Sequence, residues 1–542
     1  MSHSQSAEKE LPIDLVPIKR ALLSVFDKTG LADLAKTLTQ HGVDLYSTGG
    51  TERYLKEKGF TVHTVEELTG FPEVFDGRLK TLHPLVHGGL LYRRELASHV
   101  SQAEEHEISA IDMLIVNLYP FEETVAKPGA TQGEIIEQID IGGPAMLRSA
   151  AKNFRGVAIV TSPNQYAGLI DSIEKNSGAT SLADRFQLAN DAFALVAGYD
   201  KAISDYFAQL TIGTSAADAK LPSELTITLP KALGLRYGEN PQQNGALYGA
   251  DFTQIFQHVW GKELSYNNLL DISAAAGLIA EFAHSTNAVA AVIKHTNPCG
   301  VAEGRDILEA FERAFKADPE SPFGGITILN RPCTVALAER LNTFFSEVVL
   351  APSFDADALE ALKKKKDRRL VTFDMAKIIG ARSSSMEIRS IIGGILMQEP
   401  DIALYANTKL ESVTSRKLTT EEIGGLEFAW KVCKHVKSNA IVYAVIEDGL
   451  PVTAGIGCGQ TSRVESSRLA VERAKQFGHS LRNSLVASDA FFPFADGLLE
   501  AIHAGAIAAI EPGGSVRDAE VIVAAEEHNV SLVMTGMRHF KH

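Results

Sequence analysis

Apolar and polar positions alternate along this chain in blocks whose period keeps switching. Ala21-Leu22-Leu23-Ser24-Val25-Phe26 reads as a strand, Asp27 to Gly30 as a loop, and Leu31 to Gln40 as an amphipathic helix closed by Gly42. The unit repeats at once: Val43 to Tyr46 is strand, Ser47-Thr48-Gly49-Gly50-Thr51 is loop, and Glu52 to Lys58 is helix ending at Gly59. Further strands are predicted at Ile111 to Leu118 and Val157 to Val160. Strands alternating with helices predict an α/β fold with a doubly wound parallel sheet over residues 18–210, preceded by a disordered polar tail at 1–17.

Periodicity is lost from Thr211 to Ser223, where small polar residues gather, and a linker is assigned to 211–225. The pattern returns in a larger α/β region, 226–542, with strands at Ala288 to Ile293, Gly325 to Leu329, Glu347 to Leu350, Ser484 to Ser488, Ala506 to Ile510 and Ser531 to Met534. A break near 360–400 divides this region into two subdomains. The basic run Lys363 to Lys366 inside it reads as a solvated helix end, and no fixed-period repeat is visible.

With 542 residues, 45% of them apolar, the chain can bury several cores. Its 52 basic and 67 acidic side chains give a formal net charge of −15, which argues against binding a nucleic-acid backbone and requires any anionic ligand to find a local basic pocket. Four cysteines without a C-x-x-C pair suit neither a zinc knuckle nor a disulfide framework and point to a reducing cytoplasm. The first ten residues are too polar for a secretory signal. No apolar run approaches the roughly eighteen residues of a membrane helix, so a soluble, cytoplasmic protein with no membrane partner is expected.

Two polar clusters carry candidate chemistry. Lys294-His295-Thr296-Asn297-Pro298-Cys299-Gly300 directly follows an apolar strand; at the strand's C-terminal edge it would set a cation beside an imidazole in a crevice. The second cluster is Asp76 to Pro84. Ser47 to Thr51 offers hydroxyls and bare amides at a helix N-terminus, a seat for phosphate, although a glycine turn with threonine capping explains that loop equally well by itself. Lys28, Arg78 and Lys80, on other loops of the same sheet, would supply the cations that a buried phosphate oxygen requires. Tyr119 ends a strand, where a core tyrosine satisfied locally is the plainer alternative. Asp140 precedes a helix with Pro144 early in it; Arg148 and Lys152 follow on one face, a spacing common on solvated helices. Two lysines, a tyrosine and an aspartate on one sheet suit the stabilisation of an oxyanion and the shuttling of protons.

Together, Ser47 to Thr51, Asp76 to Pro84, Asn117 to Phe121 and Asp140 to Asn153 resemble the cyclohydrolase half of the bifunctional purine-biosynthesis family PurH. Leu235 to Pro241, Lys294 to Gly300, Phe323-Gly324-Gly325, Lys437 to Ala440, Gly457 to Arg463 and Asp489 to Phe494 resemble its transformylase half, so the resemblance spans nearly the whole chain. It implies two consecutive steps. Aminoimidazole carboxamide ribonucleotide (AICAR) is formylated on its 5-amino group by the cosubstrate 10-formyltetrahydrofolate, and the product, FAICAR, closes to inosine monophosphate (IMP) with loss of water. His295 would act as general base toward the weakly nucleophilic amine, with Lys294 and Asn439 steadying the formyl oxygen. Arg236, Tyr237, Gly324, Arg463 and Arg538 match nucleotide-binding positions, and Phe491, Phe494 and Asp496 match the folate side. Lys80, Tyr119, Asp140 and Lys152 match the catalytic positions of the cyclohydrolase. Ser24, Lys28, Ser47, Thr48, Gly49, Gly50, Thr51 and Arg78 match positions that hold its substrate.

The resemblance also implies a methylglyoxal-synthase-like first half, a second half like a duplicated cytidine-deaminase fold without zinc, and a homodimer. No catalytic metal is implied, with room for a monovalent cation; partners are small molecules, with no nucleic acid. Phe26 replaces a usual second serine, Gln242 a histidine and Ala495 an arginine, which predicts altered binding detail rather than lost chemistry; His542 resembles the family's ending. Three rival readings fit the residues less well. A zinc deaminase needs a second cysteine that Cys299 lacks, Gly455 to Gly459 does not fit the dinucleotide spacing, and a non-catalytic nucleotide sensor would keep its ligand response without Lys294 or His295.

Overall fold

Alternation along the strands decides the architecture of the first part of the chain. Leu22, Leu114, Val116 and Ile159 pack into one buried cluster, while Leu23, Val25, Ile115, Ala158 and Val160 pack into another on the opposite side. A sheet with two apolar faces needs helices on both. The computed structural model, which describes residues 14–75, 77–210, 221, 225–249, 252–406 and 410–542, divides into two compact units at Leu225/Thr226. The first contains a five-stranded, all-parallel sheet in the order His63–Thr64, Asp44–Ser47, Arg20–Val25, Met113–Asn117, Ala158–Val160. The chain winds outward one way from Arg20–Val25 and then the other way from Met113–Asn117. The switch point therefore lies between these two strands, at their C-terminal ends.

The helix Leu31–Gln40 has the predicted limits, whereas the next begins already at Gly49, so the glycine loop is its first turn rather than a preceding segment. The tail expected at 1–17 is not all tail: Leu15–Pro17 pairs antiparallel with Ala179–Ser181. Residues 1–13, Asp76 and nearly all of 211–225 lie outside the described residues.

The second unit is built on one eleven-stranded sheet. Outward from its middle on one side run Asn297–Gly304, Ala288–Lys294, Ile326–Leu329, Val348–Ala351 and Arg369–Phe373, with Phe256–Trp260 at the edge. On the other side run Leu450–Gly457, Ile441–Glu447, Ser484–Ser488, Ala506–Glu511 and Ser531–Met534. Each half is an antiparallel hairpin followed by three strands that are parallel to one another, with helices in between. This is a repeat of topology that no sequence period reveals. Val289, Ala291 and Ile293 face one core, Ala290 and Val292 the other. Two return strands, Asn297–Gly304 and Leu450–Gly457, are not among the predicted strands; small and polar residues dominate the first, and glycines break the apolar run of the second. Their glycines have a purpose: a methyl on Gly304 would overlap the Ala310 amide, and one on Gly457 the Ser466 carbonyl, each in the helix that follows. Among the described residues, no helix is long and apolar enough to cross a membrane.

Gly457→Ala is therefore expected to destabilise the second unit by at least about 1–3 kcal/mol, because backbone rather than a side chain must move. Gly380→Ala, in the helix Met375–Ser384 with open space around it, should be neutral or slightly stabilising. Denaturant unfolding of both variants checks the contrast; equal midpoints would refute it.

Candidate functional site

In the first unit a cavity of about 680 Å³ opens at the switch point. Ser24, Lys28, Thr48, Gly50, Thr51, Arg78, Lys80, Tyr119 and Asp140 line it, which brings together most of the residues expected there. Two helices, Gly49–Glu57 and Gly142–Lys152, direct their N-terminal turns at it through Gly50, Thr51, Gly142 and Gly143. Their amide ends favour an anion. Asn117, placed by the strand end, fastens the loop after Val25: its Oδ1 accepts the N–H groups of Phe26 (2.5 Å) and Asp27 (2.9 Å), and its amide donates to the Asp27 carbonyl (3.0 Å). The hydroxyls of Ser47 and Thr51 serve the fold instead. Ser47 donates to Leu23 O at 2.7 Å, and Thr51 accepts from Val25 N at 3.0 Å. Any anion there meets amides and the cations Lys28 and Lys80.

Asp140 is held from both sides, its N–H donating to the Tyr199 hydroxyl and its Oδ1 accepting from Gly143 N, both at 2.8 Å. Burial raises the pKa of its carboxyl, against the opposing pull of the Gly143 amide and Lys80. Burial, then Asp140 and Glu73, raise that of the Tyr119 phenol, so Tyr119 stays a hydrogen-bond donor at neutral pH. Arg78 pairs with Glu137 on the exposed rim. Phe26 meets Tyr119 edge-on, ring centroids 6.2 Å apart. Ser47 and Gly49 back the cavity without lining it. Lys152 is exposed in the last turn of the helix whose first turn lines the cavity, so this unit does not bring it to the other three. Glu73 and Glu137, which line the cavity, were not anticipated from sequence.

In the second unit the polar heptad does not emerge into a crevice from the end of a parallel strand. Lys294 pairs with Asn297 across a two-residue hairpin turn, and Asn297–Gly300 already runs back. His295 and Thr296 both have positive φ, 51° and 64°, as a tight primed turn requires. His295 is exposed at the tip, and Lys294 Nζ donates to Phe323 O at 3.0 Å, beside Gly324. Asn297 Oδ1 accepts from Lys437 N at 3.0 Å, which draws the Asn439 segment to the turn. Asn439 donates through Nδ2 to Gln460 O (2.8 Å), and its carbonyl accepts from the Ser466 hydroxyl (2.7 Å).

A buried carboxylate links this cluster to the arginines. Asp489 accepts from Ser438 Oγ at 2.5 Å and from Arg463 Nη2 at 3.0 Å, and the guanidiniums of Arg463 and Arg538 lie 5.8 and 4.6 Å from the Phe540 ring centre. Arg236 and Tyr237 stand together on a separate hairpin, Lys231–Leu235 with Gly245–Tyr248, whose loop is tied by Asn267 Nδ2 to Glu239 O (3.3 Å). Phe491 is half-buried; Phe494 and Asp496 are exposed, with Arg517 4.6 Å over the Phe494 ring. Two residues went unnoticed in the sequence. Asp271 accepts from Thr296 N at 2.6 Å, and the buried Glu511 accepts from Phe492 N at 2.6 Å while its Oε1 has no partner. Burial pushes Glu511 up to about 7 and the Cys299 thiol up to about 12. Among the described residues, no three His, Cys, Asp or Glu side chains are grouped to hold a metal ion.

A family model described as the AICARFT/IMPCHase bienzyme matches residues 150–473, and one described as an MGS-like domain matches residues 30–145. The bifunctional purine biosynthesis protein PurH of Chlorobium chlorochromatii (strain CaD3) is 49% identical over 532 residues, covering 97% of this chain and 99% of the relative. That of Chloroflexus aurantiacus is 50% identical over 525 residues with the same coverage. The crystal structure of ForH aligns at 35% identity over 35% of this chain and 97% of its own, with a TM-score of 0.33.

The raised Glu511 carboxyl gives a pH test. The fold favours its protonated form, so that stabilisation is whole below its ordinary value of 4.5 and lost as the pH rises through about 7. Glu511→Gln, neutral throughout and still an acceptor for Phe492 N–H, should unfold at a higher temperature than the native protein near pH 8 and at the same temperature near pH 4. A gap independent of pH would contradict this.

Proposed function

The chain belongs to the AICARFT/IMPCHase bienzyme family and is a bifunctional enzyme of purine biosynthesis, and we propose that each compact unit houses one of its two activities. The enzyme transfers the formyl group of 10-formyltetrahydrofolate to the 5-amino group of AICAR, giving FAICAR, and then closes FAICAR to IMP with loss of water. The first unit, through residue 210, is assigned the cyclisation. What carries this assignment is the convergence of Lys80, Tyr119 and Asp140 on one cavity beneath two helix N-termini. The helix amides and Lys28 suit a phosphate, and Ser24, Thr48, Gly50, Thr51 and Arg78 complete the lining. When the carboxamide nitrogen attacks the formyl carbon, negative charge develops on the former formyl oxygen. Lys80 and the Tyr119 phenol stabilise it, and Asp140, whose raised pKa suits proton transfer, accepts the proton leaving nitrogen. A role for Lys152 rests on the resemblance alone.

The second unit, 226–542, is assigned formyl transfer. His295 takes the proton from the 5-amino group as it attacks the formyl carbon, and Lys294 and Asn439 hold the formyl oxygen while it carries charge. Arg236, Tyr237, Gly324, Arg463 and Arg538 bind the nucleotide; Phe491, Phe494 and Asp496 bind the folate, whose flat ring suits aromatic neighbours. The doubled topology supports a duplicated, zinc-free deaminase-like fold for this unit. A cytoplasmic homodimer completes the proposal.

His295→Ala should lower formyl transfer about 10²–10⁴-fold yet leave closure of supplied FAICAR untouched; a folded variant that loses both activities would separate the sites wrongly. Lys80→Ala should slow closure by about 10²–10³-fold, so that FAICAR accumulates while tetrahydrofolate is still released. IMP formation at the native rate in that variant would remove Lys80 from the mechanism.

A further inference from the structure

The hairpin that carries His295 has a twin in the other half of the same sheet. In both halves a helix opened by a capping box precedes a two-residue hairpin. Ser265 and Asn268 cap Tyr266–Ala280 ahead of the turn His295-Thr296; Thr419 and Glu422 cap Thr420–Cys433 ahead of Asp448-Gly449. The second turn is relaxed, since Asp448 (φ 52°) and Gly449 (φ 80°) are residue types that take left-handed geometry readily. The first is strained. A β-branched threonine at +64° is an outlier that persists only where its surroundings enforce it.

What enforces it is a carboxylate that the relaxed half lacks. Counted from the caps, Asp271 in the first helix corresponds to Gly425 in the second. Asp271 accepts the Thr296 N–H at 2.6 Å and lies close enough to the neighbouring imidazole to interact with its charge. Its helix is anchored around it by the buried Ile272, Ala275 and Ala276. We infer that Asp271 is a positioning residue for formyl transfer: through the Thr296 amide it holds His295-Thr296 in left-handed geometry and so fixes where the His295 imidazole stands. This rests on the assignment of His295 as general base.

The test is steady-state kinetics of formyl transfer with AICAR and 10-formyltetrahydrofolate. Asp271→Ala should lower kcat about a hundredfold with both KM values held, and Asp271→Asn, which keeps an acceptor, should fall in between. Adding Thr296→Gly to Asp271→Ala should restore most of the lost kcat, because glycine adopts this φ without strain. A native kcat in Asp271→Ala, or a loss that Thr296→Gly does not recover in a variant with a native unfolding transition, overturns the inference. His295→Ala, assayed alongside, separates the two failures. If it transfers formyl at the native rate, the base assignment falls; if it is inactive while Asp271→Ala is native-like, the positioning role alone falls.

Discussion

The second unit depends on one seam, where Asn297–Gly304 meets Leu450–Gly457. Elsewhere in the eleven-stranded sheet neighbouring strands belong to the same half; here the two halves join, through the register pair Ala302 and Val452. Beside it the Thr453 hydroxyl accepts Val301 N–H at 3.0 Å and donates to Val301 O at 3.2 Å, so a side chain fills both places that a ladder amide and carbonyl would take. Thr453 is buried, and a buried hydroxyl left unpartnered is costly. Satisfying it and joining the halves are the same act. The consequence reaches the site, because the strand that leaves the seam on one side begins at Asn297, and Asn297 grips Lys437 from the other half. Lys294 and His295 come from one half and Asn439 from the other only because the seam is closed.

On the proposed assignment, the two units meet the same difficulty, an anionic nucleotide in a protein of net charge −15, by different means. The first concentrates partial charges: parallel strands end on one edge, their helices start there, and the amides of Gly49–Glu57 and Gly142–Lys152 converge with two lysines. The second uses whole charges made rigid. Arg463 is fixed by a buried aspartate that is itself held by Ser438, and Arg463 and Arg538 both lie against the Phe540 ring. A guanidinium held this way loses little freedom when a phosphate or carbonyl arrives.

The elements that spacing made legible, about ten of the strands, were legible because one physical cause, a periodic apolar face, set them; the apolar strand Ile441–Glu447 was passed over all the same. Leu31–Gln40, Ser484–Ser488 and Ser531–Met534 have their predicted limits. The return strand Asn297–Gly304 was not legible, since the side it turns to the following helix carries glycines, Gly300 and Gly304, chosen to admit that helix rather than to fill a core. For the same reason the polar heptad looked like an exit loop. The resemblance supplied catalytic positions, but not what holds them: Asp271 and Glu511 read as an ordinary helical aspartate and a strand-end glutamate, and only tertiary contact gives them partners. The exposed Lys152 shows the converse, a position matched in sequence that the described unit leaves outside its cavity.

The doubled topology sorts structural residues from chemical ones. Gly304 and Gly457 occupy matching places and do the same thing, letting a helix lie against a strand, so both halves need them. At the turns the halves part. Asp448-Gly449 is what hairpin geometry alone selects, and a turn built for stability would have kept it in both places. His295-Thr296 gives up that comfort, and a backbone strain of about 1–3 kcal/mol is a sizeable share of the roughly 5–15 kcal/mol by which native proteins stand. Such a cost persists in one copy of a repeat when that copy alone must present a particular side chain at the tip. The divergence between the two halves under one set of folding constraints thus supports the proposed role of the His295-Thr296 turn as the chemical end of the sheet, on grounds independent of any resemblance.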